Sequence, residues 1–196
     1  MIDMVHDIQA SYRKVVESMS RPGVVTNIFN EAKNLDFSVD LYKPTLVLIL
    51  MLFDTEITFK LYSDDENDSI KIINQLTYAN SVHESEADYI IIAERNNEIN
   101  FSKALKKAKL GDSINPQSSA TLIVEVKNID CTKKLELKGP GILNSNFVNV
   151  ECDDGWVDVR DMKNAEYPTG VDIIFVDKKG NLVCIPRTTQ IQKEVD

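Results

Sequence analysis

Apolar positions recur at helical spacing from the start of the chain. Ile8, Tyr12, Val15, Val16 and Met19 share one face, with Arg13, Lys14 and Glu17 opposite, which predicts an amphipathic helix over 8–19. Pro22-Gly23 ends it, and residues 24–29 read as a first strand. Residues 46–53 form a continuous apolar octet behind Pro44, and the leucine content together with Pro44 favours a buried helix over a buried strand. Ile57, Phe59 and Leu61 then alternate with Thr58, Lys60 and Tyr62, which is strand logic. The acidic run 64–68 suits the positive end of a helix dipole better than a metal loop, and Ile70, Ile73, Leu76 and Thr77 supply that helix with an apolar face. Residues 89–93 predict a short buried strand. Residues 101–109 predict a helix whose Lys103, Lys106, Lys107 and Lys109 face solvent.

The second half is richer in strands. Residues 121–126 and 134–138 have strand character, and Gly139-Pro140-Gly141 is a rigid turn. Ile173 to Val176 and Leu182 to Ile185 read as a hairpin around Gly180. Pro186 has no N–H to donate, so pairing should stop there or move to an edge. Arg187 follows just past the strand end, where a guanidinium can reach a carboxylate, a carbonyl or a phosphate. Helices and strands alternate without repeats or a linker. The expected class is therefore α/β, one domain over 1–196 with a mixed sheet and flanking helices.

Composition narrows the function. A net charge of -9 argues against a nucleic-acid partner, which would need a basic stripe. Cys131, Cys152 and Cys184 are odd in number and lack a CxxC pair, so reduced thiols are expected and a metal site is not. The apolar octet is far shorter than the roughly 18–20 residues that span a bilayer. Met1-Ile2-Asp3-Met4 does not resemble a signal peptide, so a soluble, cytoplasmic protein is expected. His6 and His83, the two histidines, stand in unrelated contexts without ligands at metal spacing. No nucleophile elbow, phosphate loop, dinucleotide fingerprint or zinc-protease motif is present. Asp153-Asp154 and Asp158-Asp161 read as solvated charges rather than a catalytic pair.

Three blocks together are more specific. Ser11 to Gly23 contains a helix followed by Met19-Ser20-Arg21-Pro22-Gly23. Ala120 to Val126 precedes Leu137-Lys138-Gly139-Pro140-Gly141-Ile142. Tyr167-Pro168-Thr169-Gly170-Val171-Asp172 leads into the hairpin and Pro186-Arg187-Thr188-Thr189. In this order the blocks resemble the PhnH family, the H subunit of the bacterial carbon–phosphorus lyase system for phosphonate use. The resemblance is thinnest over 29–109.

It implies a fold like the type I pyridoxal-phosphate transferases but without the cofactor function, and a homodimer in isolation. It also implies work with G, I and L subunits in joining an alkylphosphonate to the ribose of ATP, and a core assembly with G, I and J subunits before carbon–phosphorus bond cleavage. No catalytic residue, cofactor or metal is expected. Arg21, Pro22, Gly23, Gly139, Gly141, Gly170, Asp172, Pro186, Arg187, Thr188 and Thr189 are the family-motif positions, candidates for a ligand or partner surface. The competing reading is a small anion- or nucleotide-binding enzyme whose pocket is built from Arg21, Arg187 and the turn glycines. A stand-alone structural homodimer is a third reading.

Overall fold

The computed structural model describes residues 5–35, 37, 39–152 and 155–193, leaving aside the side chains of residues 98, 99 and 133. The Met1-Ile2-Asp3-Met4 start and the Asp153-Asp154 pair lie outside the described residues. The helices are α1 (His6–Ser20), α2 (Phe29–Ala32), α3 (Lys43–Leu52), α4 (Glu66–Thr77), α5 (Asn97–Lys107) and α6 (Trp156–Lys163). The strands are β1 (Thr26–Asn27), β2 (Thr58–Tyr62), β3 (Asn80–Ser81), β4 (Tyr89–Ile92), β5 (Thr121–Val126), β6 (Ile129–Lys138), β7 (Asn146–Val150), β8 (Asp172–Asp177), β9 (Asn181–Ile185) and β10 (Gln190–Lys193).

Seven strands form one mixed sheet in the order β1-β9-β8-β5-β4-β2-β3. From β8 to β3 the neighbours are parallel, and β9 and β1 add antiparallel pairs at the other side. A second, antiparallel sheet has the order β10-β6-β7. The architecture is α/β with a mixed sheet and flanking helices, as the alternation of elements predicts.

Both faces of the central strands are covered, which explains their unbroken apolar sequence. Ile90, Ile92, Leu122, Val124, Ile173 and Phe175 pack with α5, α6 and the small sheet. Ile91, Ile123, Ile174 and Val176, from the alternate positions, pack with Leu46, Val47, Ile49 and Ile73 of the helices opposite. Trp156 of α6 lies fully buried between Phe101 and Phe175, with ring centroids 5.5 and 5.1 Å away. Such aromatic contacts add roughly 0.5–1.5 kcal/mol beyond area burial.

The apolar octet is helical, as its leucines and Pro44 predict. Residues 44–49 of α3 are all buried, so this helix needs no polar face. The first strand is shorter than its sequence suggests. β1 holds two residues, and Phe29 starts α2 instead, where Gly180 O accepts the Ile28 N–H at 2.9 Å. Pairing in the large sheet does stop at Pro186. The chain then crosses to the small sheet, where Gln190–Lys193 pairs with Leu135–Lys138.

Glu125 fastens α3 to the sheet. It occupies an alternate position of β5 that faces α3, among the apolar residues of that strand, and is 2% exposed. Its Oε1 accepts the Tyr42 N–H and the Thr45 hydroxyl, both at 2.6 Å, and its Oε2 accepts the Glu94 N–H at 3.3 Å. α3 has no side-chain cap of its own. A carboxyl group from β5 therefore meets an orphan N–H and a first-turn hydroxyl at the positive end of that helix. Burial outweighs these hydrogen bonds and pushes the Glu125 carboxyl up from 4.5 to about 7. An acid raised in this way keeps its proton in the native state where the unfolded chain releases it, so its contribution to stability falls as pH rises through that window. The loss from about pH 4.5 to about pH 7 is on the order of 3 kcal/mol. Glu125→Gln removes this slope, and any fixed cost of the substitution shifts its whole curve. Urea melts across the window are expected to show the stability of the wild type falling relative to the variant. A pH-independent difference would refute the assignment.

Candidate functional site

The end of β9 and the start of β8 lie side by side, because the two strands are antiparallel. That geometry sets Arg187, just past β9, beside Asp172, the first residue of β8. Asp172 Oδ1 accepts the Arg187 backbone N–H at 2.7 Å and Nε–H at 3.3 Å, while Oδ2 accepts Nη2–H at 2.6 Å. Nη1 donates to the carbonyls of Pro116 at 2.8 Å and Pro168 at 3.5 Å. The two side chains are only 17% and 19% exposed. This is a planar, two-toothed contact of the kind an ammonium cannot copy.

The remaining motif residues gather round that fork. At Gly170, with φ +141°, a Cβ would stand 2.7 Å from Asn164 Oδ1 and 3.2 Å from Arg187 Cβ. Asn164 holds this segment by accepting the Val171 N–H at 2.8 Å and donating to Val171 O at 3.1 Å. Gly141, with φ +82°, brings the middle block onto the first, since a Cβ there would collide with Ser20 O. Gly139 approaches the Thr188 carbonyl, and Gly23 packs on Asn146, whose amide donates to Pro22 O at 2.7 Å. Arg21 is apart from this group. Its side chain is exposed and 3.4 Å from Glu17, and it lines neither cleft described below.

A second arginine completes the corner, and the sequence reading did not single it out. Arg160 of α6 is 1% exposed, and its Nη2 donates to Pro186 O at 2.7 Å and Thr189 O at 2.9 Å. Its Nη1 donates to Asp161 Oδ1 at 3.3 Å. Burial pulls its pKa down to about 10 against the opposing pull of Asp161 and Asp172, which leaves it charged at neutral pH. Among the described residues, Arg160 Nε and Thr189 Oγ1 have no hydrogen-bond partner. Two adjoining clefts of about 590 and 570 Å³ flank the corner and share Pro140, Tyr167, Arg187 and Thr188. Tyr167 is 78% exposed, and Leu143, just beyond the middle block, is 97% exposed.

All three sequence blocks thus meet at one place in the fold. A family model described as bacterial phosphonate metabolism protein (PhnH) matches residues 1–192. The chain belongs to the PhnH family. It is 37% identical over 84 residues to a putative C-P lyase subunit protein HtxG of Stutzerimonas stutzeri, covering 42% of this chain and 43% of that protein. It is 31% identical over 86 residues to the alpha-D-ribose 1-methylphosphonate 5-triphosphate synthase subunit PhnH of Rhizobium meliloti (strain 1021), covering 43% and 42% respectively. Each match spans less than half the length of the relative.

Other candidate groups lie elsewhere. His83 sits on an exposed turn, with Nε2 3.2 Å from Glu84 and Nδ1 2.9 Å from the Ser85 hydroxyl. Asp158 is exposed and meets Lys193 at 3.1 Å. No group of three metal-ligating side chains occurs among the described residues. Arg160 and Glu125 were legible only as exceptions: a cation in the Trp156-Val157-Asp158-Val159-Arg160 run, and the one acid in the apolar 120–126 run.

Arg187→Lys is expected to cost on the order of 1–3 kcal/mol, because it loses the planar fork while keeping the charge. Chemical denaturation measures this, and an unchanged midpoint would show that the fork does not hold the corner. Gly141→Ala is expected to lose more than about 2 kcal/mol, since left-handed backbone strain is added to a backbone collision. A melt matching the wild type would contradict the close approach of the first and middle blocks.

Proposed function

We propose that this chain is a non-catalytic subunit of the carbon–phosphorus lyase machinery, acting as a scaffold for partners of the G, I, J and L types. In this reading it is needed for forming alpha-D-ribose 1-methylphosphonate 5-triphosphate from ATP and methylphosphonate during phosphonate catabolism. The observation that carries the proposal is the family match over residues 1–192, supported by the names of the two relatives. The Arg187 corner supports a structural or partner-facing role over a ligand-binding one. Most of the guanidinium N–H groups of Arg160 and Arg187 already donate to this chain, so little of either charge is left for an incoming anion. Exposed Tyr167 and Leu143 offer a partner apolar surface on the same motif segments.

The finer parts of the reading belong with it. We take the whole chain as one domain with a fold akin to the type I pyridoxal-phosphate transferases but without their cofactor chemistry. It would work in the cytoplasm and form a homodimer when isolated. The mixed sheet with helices on both faces is consistent with such a fold, and no helix among the described residues is long and apolar enough to cross a membrane.

Affinity co-purification from phosphate-starved cells tests the central claim, and the other lyase subunits are expected in the eluate. Recovery of the tagged chain alone, under conditions where those subunits are expressed, would reject it. The purified chain by itself is expected to turn over neither ATP nor alkylphosphonate. A steady ATP hydrolysis rate that disappears on Arg187→Ala would instead make it an enzyme.

A further inference from the structure

The Arg187 corner lies at the amino edge of the parallel strands, since Asp172 begins β8 and Pro116 precedes β5. There the chain passes into the small sheet, whose outermost strands are β10 and β7. An outermost strand presents unpaired N–H and C=O groups to any chain that can reach them, and proteins commonly shorten it or cover it. The large sheet follows that rule, because it ends in β1 and β3, with two residues each. β7 is sheltered as well. None of its five residues is exposed, and the Pro22-Gly23 turn packs on its first residue, Asn146.

β10 departs from the rule. Three of its four residues, Gln190, Gln192 and Lys193, are exposed, and it contains no proline. Among the described residues its one strand partner is β6. In an antiparallel pair, alternate residues turn both main-chain groups away from the partner, so two of these four residues do so. The cleft of about 590 Å³ beside the corner is lined by Gln190, Ile191 and Gln192 of β10, by Asp161 and Asn164 of α6, and by Tyr167. Ile191 lines it although its side chain is packed in the core, so the cleft meets β10 at the main chain. α6 approaches the strand at its other end, where Lys193 meets Asp158 at 3.1 Å.

The charges around this cleft favour one kind of occupant. Arg160 and Arg187 are largely spent on acceptors of this chain. Asp161 is different, because its side chain is 48% exposed and meets Arg160 at 3.3 Å. Asp158 and Glu166, to either side of it in sequence, are exposed, while Lys163 turns to donate to Ala108 O at 3.0 Å. A rim of this sign suits a segment that carries basic side chains. A second copy of this chain, with its net charge of -9, would bring acid to acid and is the poorer occupant. Tyr167, 78% exposed, offers an aromatic face to an apolar side chain.

We propose that a lyase partner subunit docks an extended, basic segment against β10 as a fourth strand of the small sheet, with a basic side chain at Asp161 and an apolar one at Tyr167. This rests on the scaffold reading above. Hydrogen exchange at residues 190–193, measured on the chain alone and on its co-purified complex with the other lyase subunits, tests it. In the isolated chain two of the four amides are expected to exchange freely, and in the complex both are expected to slow at least about tenfold. Tyr167→Ala and Asp161→Lys should each lower the subunits recovered at least about tenfold. Tyr167→Ala should do so without moving the melting midpoint, because the side chain is exposed. A complex in which those two amides exchange as before would overturn the proposal and leave the scaffold reading intact, and so would full recovery of the subunits by both variants. Slow exchange of all four amides in the isolated chain would overturn it too, and a dependence on concentration there would name a second copy as the occupant. A tagged chain recovered alone would overturn the scaffold reading and this proposal together.

Discussion

The fork between Arg187 and Asp172 holds together segments that have little regular structure of their own. β8 lies between β5 and β9, so its first residue is a fixed point of the large sheet. From that point the chain must leave the sheet at Pro186, cross a gap and begin β10 in another sheet. Such a crossing leaves backbone carbonyls away from any ladder, and buried carbonyls need donors. Arg187 supplies donors to Pro116 and Pro168, and Arg160 supplies them to Pro186 and Thr189. An arginine suits this work because it offers several N–H groups in one plane without accepting any. The motif glycines follow from the same need, since backbone must approach backbone where the loops converge.

The two edges of the large sheet consequently carry charge in different states. At the amino edge, both arginines lie among acceptors of this chain, and their burial is tolerable because those acceptors are close. At the carboxyl edge Lys33 and Lys43 are exposed and each donates to a neutral oxygen at 3.3 Å. Buried cations with most of their donors satisfied hold a corner in one arrangement. Sequence alone does not separate these cases, because Arg187 and Lys178 each stand just beyond a core strand.

The elements legible in the sequence are those whose own residues decide them. β4, β5, β8 and β9 are apolar runs covered on both faces, and α1 and α4 carry an apolar stripe at helical spacing. The missed elements depend on partners far along the chain. β10 has one buried apolar residue, Ile191, and exists because β6 offers it an edge. β7 mixes asparagines with Phe147, Val148 and Val150, and its pairing likewise comes from β6. α6 is anchored by Trp156 and by the burial of Arg160, a residue that any hydropathy pattern assigns to solvent. Glu125 was hidden for the same reason, although the alternation of β5 points it at the α3 face. Periodicity tells which face a residue occupies. It does not tell that an ionisable group there will find donors.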